Sequence, residues 1–126
     1  MPGVDKPFEI KDSGERLEFD SGMVRDTAEG KTQWHRVVEG PLLQRWAEHL
    51  TKGATKYPDN PDGTANWTKA EGIAEYRRFR ESAFRHFFQA MRGDTDEDHF
   101  AATVFNLNGT LYVSAKLAST FPSDKA

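Results

Sequence analysis

The sequence predicts a small all-α domain, and three observations support this fold class. The chain has 126 residues, enough for one hydrophobic core and too few for two. Three segments beyond residue 40 place apolar side chains at the three- and four-residue spacing of a helix face. Proline and glycine stand where such helices would begin and end. We therefore expect one domain over residues 1–126, in which an extended arm (1–20) and a tail (118–126) are peripheral.

The first 30 residues indicate an arm and a loop rather than a helix. They are polar and rich in charge, glycine and proline. Residues 15–20 alternate polar and apolar types, which predicts a short strand or an extended arm. Residues 21–31 should form an ordered loop, in which Gly22 and Gly30 permit a left-handed backbone close to a ligand.

The first predicted helix begins at Pro41, the favoured first-turn residue, and runs to about Lys52. Gly53 is a typical residue just beyond a helix end. The following connection, residues 54–67, contains two prolines and a glycine. Long connections inside compact domains often carry function.

The second predicted helix starts at Thr68, with Glu71 at the spacing of a capping box, and ends at Gly93. The third covers about residues 96–117 and includes an irregularity at Gly109. Together with the first helix they give a small helical bundle, with apolar faces left over for an oligomer.

Composition excludes several classes of protein. The net charge of −3 with mixed signs argues against a general nucleic-acid binder, which needs a basic surface. The chain lacks cysteine, so it has neither disulfides nor thiolate metal sites, and we expect a cytoplasmic location. We see no apolar run near the ~20 residues of a membrane span and no signal peptide. Walker, nucleophile-elbow and Gly-x-Gly-x-x-Gly motifs do not occur.

A run of acids opens the third predicted helix. The helix dipole would stabilise Asp96, Glu97 and Asp98 at an N-terminus, but three acids beside His99 exceed what capping needs. A divalent cation with oxygen ligands, most simply Mg²⁺, would offset their repulsion.

A second polar group lies on the second predicted helix. Glu81 and Arg85 are spaced as a solvated ion pair, or Glu81 binds a metal and Arg85 a phosphate. His86 falls on the apolar side and is either a core histidine or a ligand or proton carrier. His49 has the same two interpretations.

Cations in loops suggest an anionic ligand. Arg25, Lys31 and Lys56 each lie beside glycine or turn residues, where backbone N–H groups can help to bind an oxyanion; each is otherwise a surface charge. Asn66 and Trp67 either meet a nucleobase or anchor the second helix.

An ordered set of short motifs resembles a known family. The set comprises Ser21-Gly22-x-x-Arg25-Asp26, Gly30-Lys31, Gly53-Ala54-x-Lys56-Tyr57, Asn66-Trp67, Arg85-His86, Gly93-Asp94-x-Asp96-Glu97-Asp98-His99-x-Ala101-Ala102 and Asn106. It resembles the phage dATP/dGTP diphosphohydrolase family (MazZ-like), which is related to the all-α MazG-like nucleotide pyrophosphohydrolases. The resemblance implies an enzyme that converts purine dNTPs to the monophosphate and pyrophosphate with Mg²⁺ or Mn²⁺, one or two ions per site. It also implies a role in phage nucleotide metabolism such as 2-aminoadenine genome synthesis.

The resemblance and the residue patterns together give a predicted site. The predicted metal ligands are Glu81, Asp94, Glu97 and Asp98. The predicted catalytic residues are Glu81, Asp98, His86 and His99. The predicted substrate-binding residues are Arg25, Lys31, Lys56, Arg85, Asn66, Trp67 and Asn106. We expect the partners to be a purine dNTP and other copies of the chain in a homodimer or homotetramer, with neither nucleic acid nor membrane.

Two other classes stay open at this point. The His and Asp residues also suit a His-Asp-type metal phosphohydrolase, which would favour transition metals. A non-catalytic phage interaction protein could keep the same helical scaffold.

Overall fold

The computed structural model describes residues 8–120. Residues 1–7 and 121–126, parts of the expected arm and tail, lie outside the described residues. The described residues form two compact units that divide after Trp34. No helix within residues 8–120 is long and apolar enough to cross a membrane.

The first unit is built around a small hairpin. Strands β1 (Arg16–Glu18) and β2 (Val24–Asp26) pair antiparallel, with Leu17 opposite Arg25. Gly22 has φ 91° and donates its N–H to the Phe19 carbonyl at 2.8 Å, which closes the turn. The expected short strand is thus confirmed, and it needs a partner strand to satisfy its backbone groups.

The second unit holds three helices, which confirms the all-α class. They are α1 (Leu42–Lys56), α2 (Ile73–Arg92) and α3 (His99–Thr120). Two short 3-10 helices, Trp34–Val38 and Asn66–Lys69, precede α1 and α2. The packing of α2 against α3 is the most extensive, and α1 also packs on α3.

Helix boundaries differ from the predicted ones for local reasons. Helix α1 continues through Gly53 to Lys56, so the predicted stop was wrong; Gly53 has ordinary helical neighbours and a negative φ. Helix α2 begins at Ile73 rather than after Thr68. The acid that caps it is Glu75, whose Oε1 accepts the N–H groups of Glu71 and Gly72, both at 3.0 Å.

Helix α3 begins three residues later than predicted because Asp98 caps it. The Asp98 side chain accepts the N–H of Ala101 at 3.1 Å, and its carbonyl accepts that of Ala102 at 3.0 Å. The helix stays regular at Gly109, where an irregularity was expected. A Cβ there would lie 2.5 Å from a ring carbon of Phe79, so glycine lets α2 and α3 approach closely.

The interior between α2 and α3 is lined by small side chains. The buried apolar residues in the described range are alanines and Val113. An aromatic group lies beside them on α3: the Phe105 ring is 5.6 Å from His49, 5.9 Å from Trp67 and 6.0 Å from Phe79. This packing holds α1 and the second 3-10 helix against α3.

Candidate functional site

A cleft of about 330 Å³ lies where α2 ends and α3 begins. Gly93, with φ 90°, ends α2 and lets Asp94 donate its N–H back to the Gln89 carbonyl at 3.0 Å. This turn brings the chain back over α2 and directs the polar residues of the connection toward one opening. The cleft is lined by Arg45, Ala90, Gly93, Asp94, Thr95, Glu97, Asp98, His99 and Phe100.

Two carboxylates and an imidazole meet beside this cleft, which Asp94 and His99 line and Asp96 does not. Ligand atoms of Asp94, Asp96 and His99 all lie within 4.8 Å of one another. Asp94 also accepts a hydrogen bond from Arg92, with its Nε at 3.1 Å, and this bond lowers the pKa of Asp94. Both acids are therefore ionised at neutral pH, since the hydrogen bond from His99 lowers the pKa of Asp96 as well.

His99 joins Asp96 to a second histidine. The residue is 1% exposed; its Nε2 lies 2.7 Å from an Asp96 oxygen, and its Nδ1 lies 2.9 Å from the Nδ1 of His86. A carboxylate only accepts, so the His99 Nε2 carries the proton. If the Nδ1 of His99 carries no proton, it accepts the N–H of the His86 Nδ1, and the His86 Nε2 is then unprotonated.

The surroundings of His86 favour the neutral form of its own imidazole. Burial lowers its pKa, and the nearby charge of Arg85 adds to the effect. A neutral imidazole with a fixed tautomer can accept a proton or bind a cation through its Nε2. The chain Asp96–His99–His86 therefore sets which ring nitrogen of His86 is available for chemistry.

Arg45 and Asp98 form the other polar contact at the cleft. The Nε and Nη2 atoms of Arg45 each donate to one Asp98 oxygen at 2.7 Å. This two-point contact lowers the pKa of Asp98 and ties α1 to the start of α3. Arg45 was missed by sequence reasoning, since 53 residues separate it from Asp98 and only the packing of the helices brings the two together.

The other predicted site residues of α2, α3 and their connection lie in the cleft lining or on the two helices. Glu97 lines it, whereas Glu81 and Arg85 are exposed on α2, and the Arg85 Nη2 is 3.5 Å from the Ser82 hydroxyl. Asn106 is buried in α3 and donates its Nδ2–H to the Ala102 carbonyl at 2.8 Å.

The predicted base contacts lie at the aromatic end of the unit. Trp67 and the half-buried Asn66 belong to the second 3-10 helix, and Trp67 packs edge-on against Tyr112 at 5.0 Å. Lys56 ends α1, with its Nζ 5.2 Å from the centre of the Tyr57 ring.

The remaining predicted cations belong to the first unit. Arg25 lies in β2, and Lys31 follows it with its Nζ 3.6 Å from an Asp26 oxygen. Asp26 also accepts the N–H groups of Ser13 at 3.2 Å and Thr27 at 2.9 Å. The sequence predicted a loop over residues 21–31, whereas residues 24–26 of that range form β2; these Asp26 contacts tie the residues that follow the strand to it.

One comparison with known proteins matched the chain. A family model described as "dATP/dGTP diphosphohydrolase, N-terminal" matches residues 21–118. The match covers most of the 126 residues and includes every residue that lines the cleft. No curated protein and no solved structure matched.

Proposed function

We propose a reaction for this chain from the premise that it belongs to the dATP/dGTP diphosphohydrolase family, as the match over residues 21–118 shows. The proposed reaction is hydrolysis of dGTP or dATP to the monophosphate and pyrophosphate. The water oxygen bonds to the α-phosphorus, and the bond from that phosphorus to the oxygen bridging the β-phosphate breaks. The observation that carries the proposal is the meeting of Asp94, Asp96 and His99 within the matched region, beside a cleft that Asp94 and His99 line.

Asp94 and Asp96 would hold a divalent cation, Mg²⁺ or Mn²⁺, as one or two ions, and the Nε2–H of His99 would orient the Asp96 carboxylate. Their ligand oxygens lie within 4.8 Å of one another, near the roughly 3–4.2 Å that separates two ligands of one Mg²⁺ ion. Carboxylate oxygens suit both of these ions. When bound, the cation offsets phosphate charge and makes a bound water more acidic. Glu97 lines the same cleft, and Glu81 and Asp98 remain the alternative ligands that the sequence predicted.

The residues of the chain then have distinct roles. His86 would accept the proton of the attacking water at its Nε2, because Asp96 and His99 hold it in the tautomer with that nitrogen free. Arg85 would bind phosphate oxygens from the adjoining turn of α2. The predicted phosphate contacts of Arg25, Lys31 and Lys56, and the base contacts of Asn66 and Trp67, belong to the same proposal.

The wider role follows from the resemblance described above. We propose that the chain acts as one domain in the cytoplasm of a phage-infected host. There it would supply deoxynucleoside monophosphates for a modified genome, such as one with 2-aminoadenine, and would drain dATP.

Product analysis tests the reaction. The protein is incubated with each dNTP and with ATP and GTP, in Mg²⁺ or Mn²⁺, and the nucleotides are separated by anion exchange while pyrophosphate and orthophosphate are assayed. We expect pyrophosphate in equal amount to dGMP or dAMP. Orthophosphate with a dNDP as the first product would reject the reaction, and an absence of turnover with every nucleotide would favour the interaction protein.

A His-Asp phosphohydrolase is the second candidate, and the His86–His99 contact beside two aspartates favours it. Metal preference separates the two. Turnover that needs a transition metal and is not restored by Mg²⁺ would favour the second candidate.

A further inference from the structure

The cleft contains a cation that the reaction proposed above does not use. Within residues 8–120, Arg45 is the only Lys or Arg that lines the cleft, and the acids that line it are Asp94, Glu97 and Asp98. The cations expected from the sequence lie elsewhere in this range: on the exposed side of α2, at the end of α1 and in the first unit. A phosphate in the cleft would therefore have Arg45 as its basic contact.

More than half of the N–H donors of Arg45 remain for a ligand. Its Nε and Nη2 atoms donate to the two Asp98 oxygens at 2.7 Å. Because a guanidinium carries five N–H donors, this contact leaves both donors of Nη1 and one of Nη2 for another acceptor. The Arg45 side chain is 42% exposed, so an anion in the cleft can reach it.

Two neighbours hold the guanidinium in one orientation. Asp98 binds one edge of it, and the ring of Phe100, which also lines the cleft, has its centre 5.5 Å from the Arg45 Cζ. A guanidinium held in this way loses little further conformational freedom when it binds an oxyanion. Its planar fork of donors matches the oxygens of a phosphate group. The side chain is thus arranged in advance for a phosphate.

Asp98 does not depend on Arg45 alone for a positive partner. It also accepts the N–H of Ala101 at 3.1 Å, at the N-terminus of α3, where the helix dipole stabilises a carboxylate. The charge of Asp98 is therefore balanced by the helix as well as by Arg45. The guanidinium, which stays protonated at neutral pH, keeps an attraction for a second anion.

We propose that Arg45 binds the β- and γ-phosphates of the substrate, the part that leaves as pyrophosphate. This assignment rests on the reaction proposed above, in which the cation at Asp94 and Asp96 and the proton acceptor His86 act at the α-phosphorus. When the bond to the β-phosphate breaks, its electron pair stays on the bridging oxygen, which departs with the pyrophosphate. A permanently protonated guanidinium stabilises that charge without a proton transfer.

Binding of inorganic pyrophosphate tests the assignment without any need for turnover. Calorimetric titration in Mg²⁺ should show a dissociation constant that rises about ten-fold or more in Arg45→Gln, the effect of losing one charge-assisted hydrogen bond. Arg45→Lys should show a smaller but measurable rise, because lysine keeps the charge and lacks the fork of donors. The matched control is Arg80→Gln, since the Arg80 Cζ is also 5.5 Å from a ring centre, that of Tyr76, away from the cleft. This control should bind pyrophosphate as the wild type does.

A second ligand shows which phosphates Arg45 contacts. The monophosphate dGMP lacks the β- and γ-phosphates, so Arg45→Gln and the wild type should bind it equally well. An equal loss of dGMP and pyrophosphate binding in Arg45→Gln would overturn the assignment. Circular dichroism checks that the variants are folded, and Arg45→Lys decides the question if Arg45→Gln is not.

The remaining outcomes separate this assignment from the proposed reaction. Wild-type protein that does not bind pyrophosphate, or a folded Arg45 variant that binds it as tightly as the wild type, overturns the assignment. Release of pyrophosphate with unchanged kcat/KM in Arg45→Gln also overturns it and leaves the reaction standing. Pyrophosphate binding that depends on Arg45 in a protein without turnover would support the binding site and reject the reaction.

Discussion

The two halves of α3 are held in place by different kinds of interaction. At its start, Asp98 binds Arg45 of α1, and His99 joins His86 to Asp96. In its second half, Gly109 admits the Phe79 ring, and Tyr112 donates its hydroxyl to the Thr68 carbonyl at 3.0 Å. Ion pairs and titratable side chains hold the first half, whereas close packing and hydrogen bonds to the second 3-10 helix hold the second half. Changes at the start should therefore affect chemistry more than stability, and changes further along should do the reverse.

The largest expected effect is on turnover, at the two acids Asp94 and Asp96 beside the cleft. Asp94→Asn and Asp96→Asn should each lower kcat/KM by about 100-fold or more, because a carboxylate that binds a cation or orients a catalytic imidazole has no neutral substitute. Initial rates of pyrophosphate release measure the effect. The melting temperature should change little, since Asp96 is exposed and Asp94 is only partly buried.

Matched variants distinguish the two sets of metal ligands. Glu81→Gln tests the set predicted from sequence, and Glu71→Gln is a control at an exposed acid near the start of α2. We expect both to keep near-normal kcat/KM. Loss of turnover in Glu81→Gln with full activity in Asp96→Asn would show that the metal ligands lie on α2 rather than at Asp94 and Asp96.

The next effect is on stability, in the second half of α3. Gly109→Ala should lower the free energy of unfolding by about 1–3 kcal/mol, because its Cβ would press on the Phe79 ring and overpacking has costs in this range. Chemical denaturation measures it. Gly53→Ala is the control, since a Cβ there meets nothing within 4 Å and alanine favours a helix by about 0.5–1 kcal/mol.

The same variant is also tested for its rate of nucleotide hydrolysis. Gly109→Ala should retain kcat/KM at temperatures where it is folded, since the position does not line the cleft. The double variant G109A/F79L should recover part of the lost stability, because the smaller side chain makes room. An equal loss in Gly53→Ala would show that the close approach of α2 and α3 is not the cause.

Replacing Asp98 should have a smaller effect on stability, and it tests whether this residue acts in stability, in turnover or in both. Asp98 caps α3 and pairs with Arg45, so Asp98→Ala should lower the free energy of unfolding by about 1–2 kcal/mol. The sequence predicted instead that Asp98 binds metal and that Asp98→Asn keeps or raises stability while abolishing turnover. Thermal melts and rates for Asp98→Asn and Arg45→Gln separate these roles. Parallel losses of stability in both variants indicate the ion pair; loss of turnover in Asp98→Asn alone indicates a metal ligand.

Sequence patterns predicted the features of the fold that depend on residues close together in the sequence. Gly93 ended a helix as expected, and three helices occur in the expected order, because periodicity and caps act within a few residues. The Arg45–Asp98 pair and the His86–His99 contact depend on how helices pack, which no local pattern contains. Asp96 was predicted only as an acid of the first turn, and its place beside Asp94 and His99 follows from the turn at Gly93. The exact helix starts differed because Glu75 rather than Thr68 caps α2, and because Asp98 caps α3 two residues after its predicted start.

The smallest expected effect concerns the pH dependence of stability. Burial and the charge of Arg85 lower the pKa of His86 below its ordinary value of about 6.5 in the folded protein. The unfolded chain then binds more protons than the folded one, so stability is complete above the ordinary pKa and falls as pH drops through the folded pKa. The acids Asp94, Asp96 and Asp98 have lowered pKa values and stay ionised in this window.

Replacing His86 should therefore flatten the pH profile. Melting temperatures are measured in a chelator from about pH 7.5 to 5.5, a window set around the ordinary histidine pKa, for the wild type, His86→Gln and the control His35→Gln, which is exposed. We expect a weaker decline in His86→Gln than in the other two. The cause is desolvation and repulsion by Arg85 rather than a lost contact, because a protonated His86 still donates its Nδ1–H to His99. An unchanged decline in His86→Gln would place the pH-sensitive group elsewhere and remove the argument that His86 is held neutral for proton transfer.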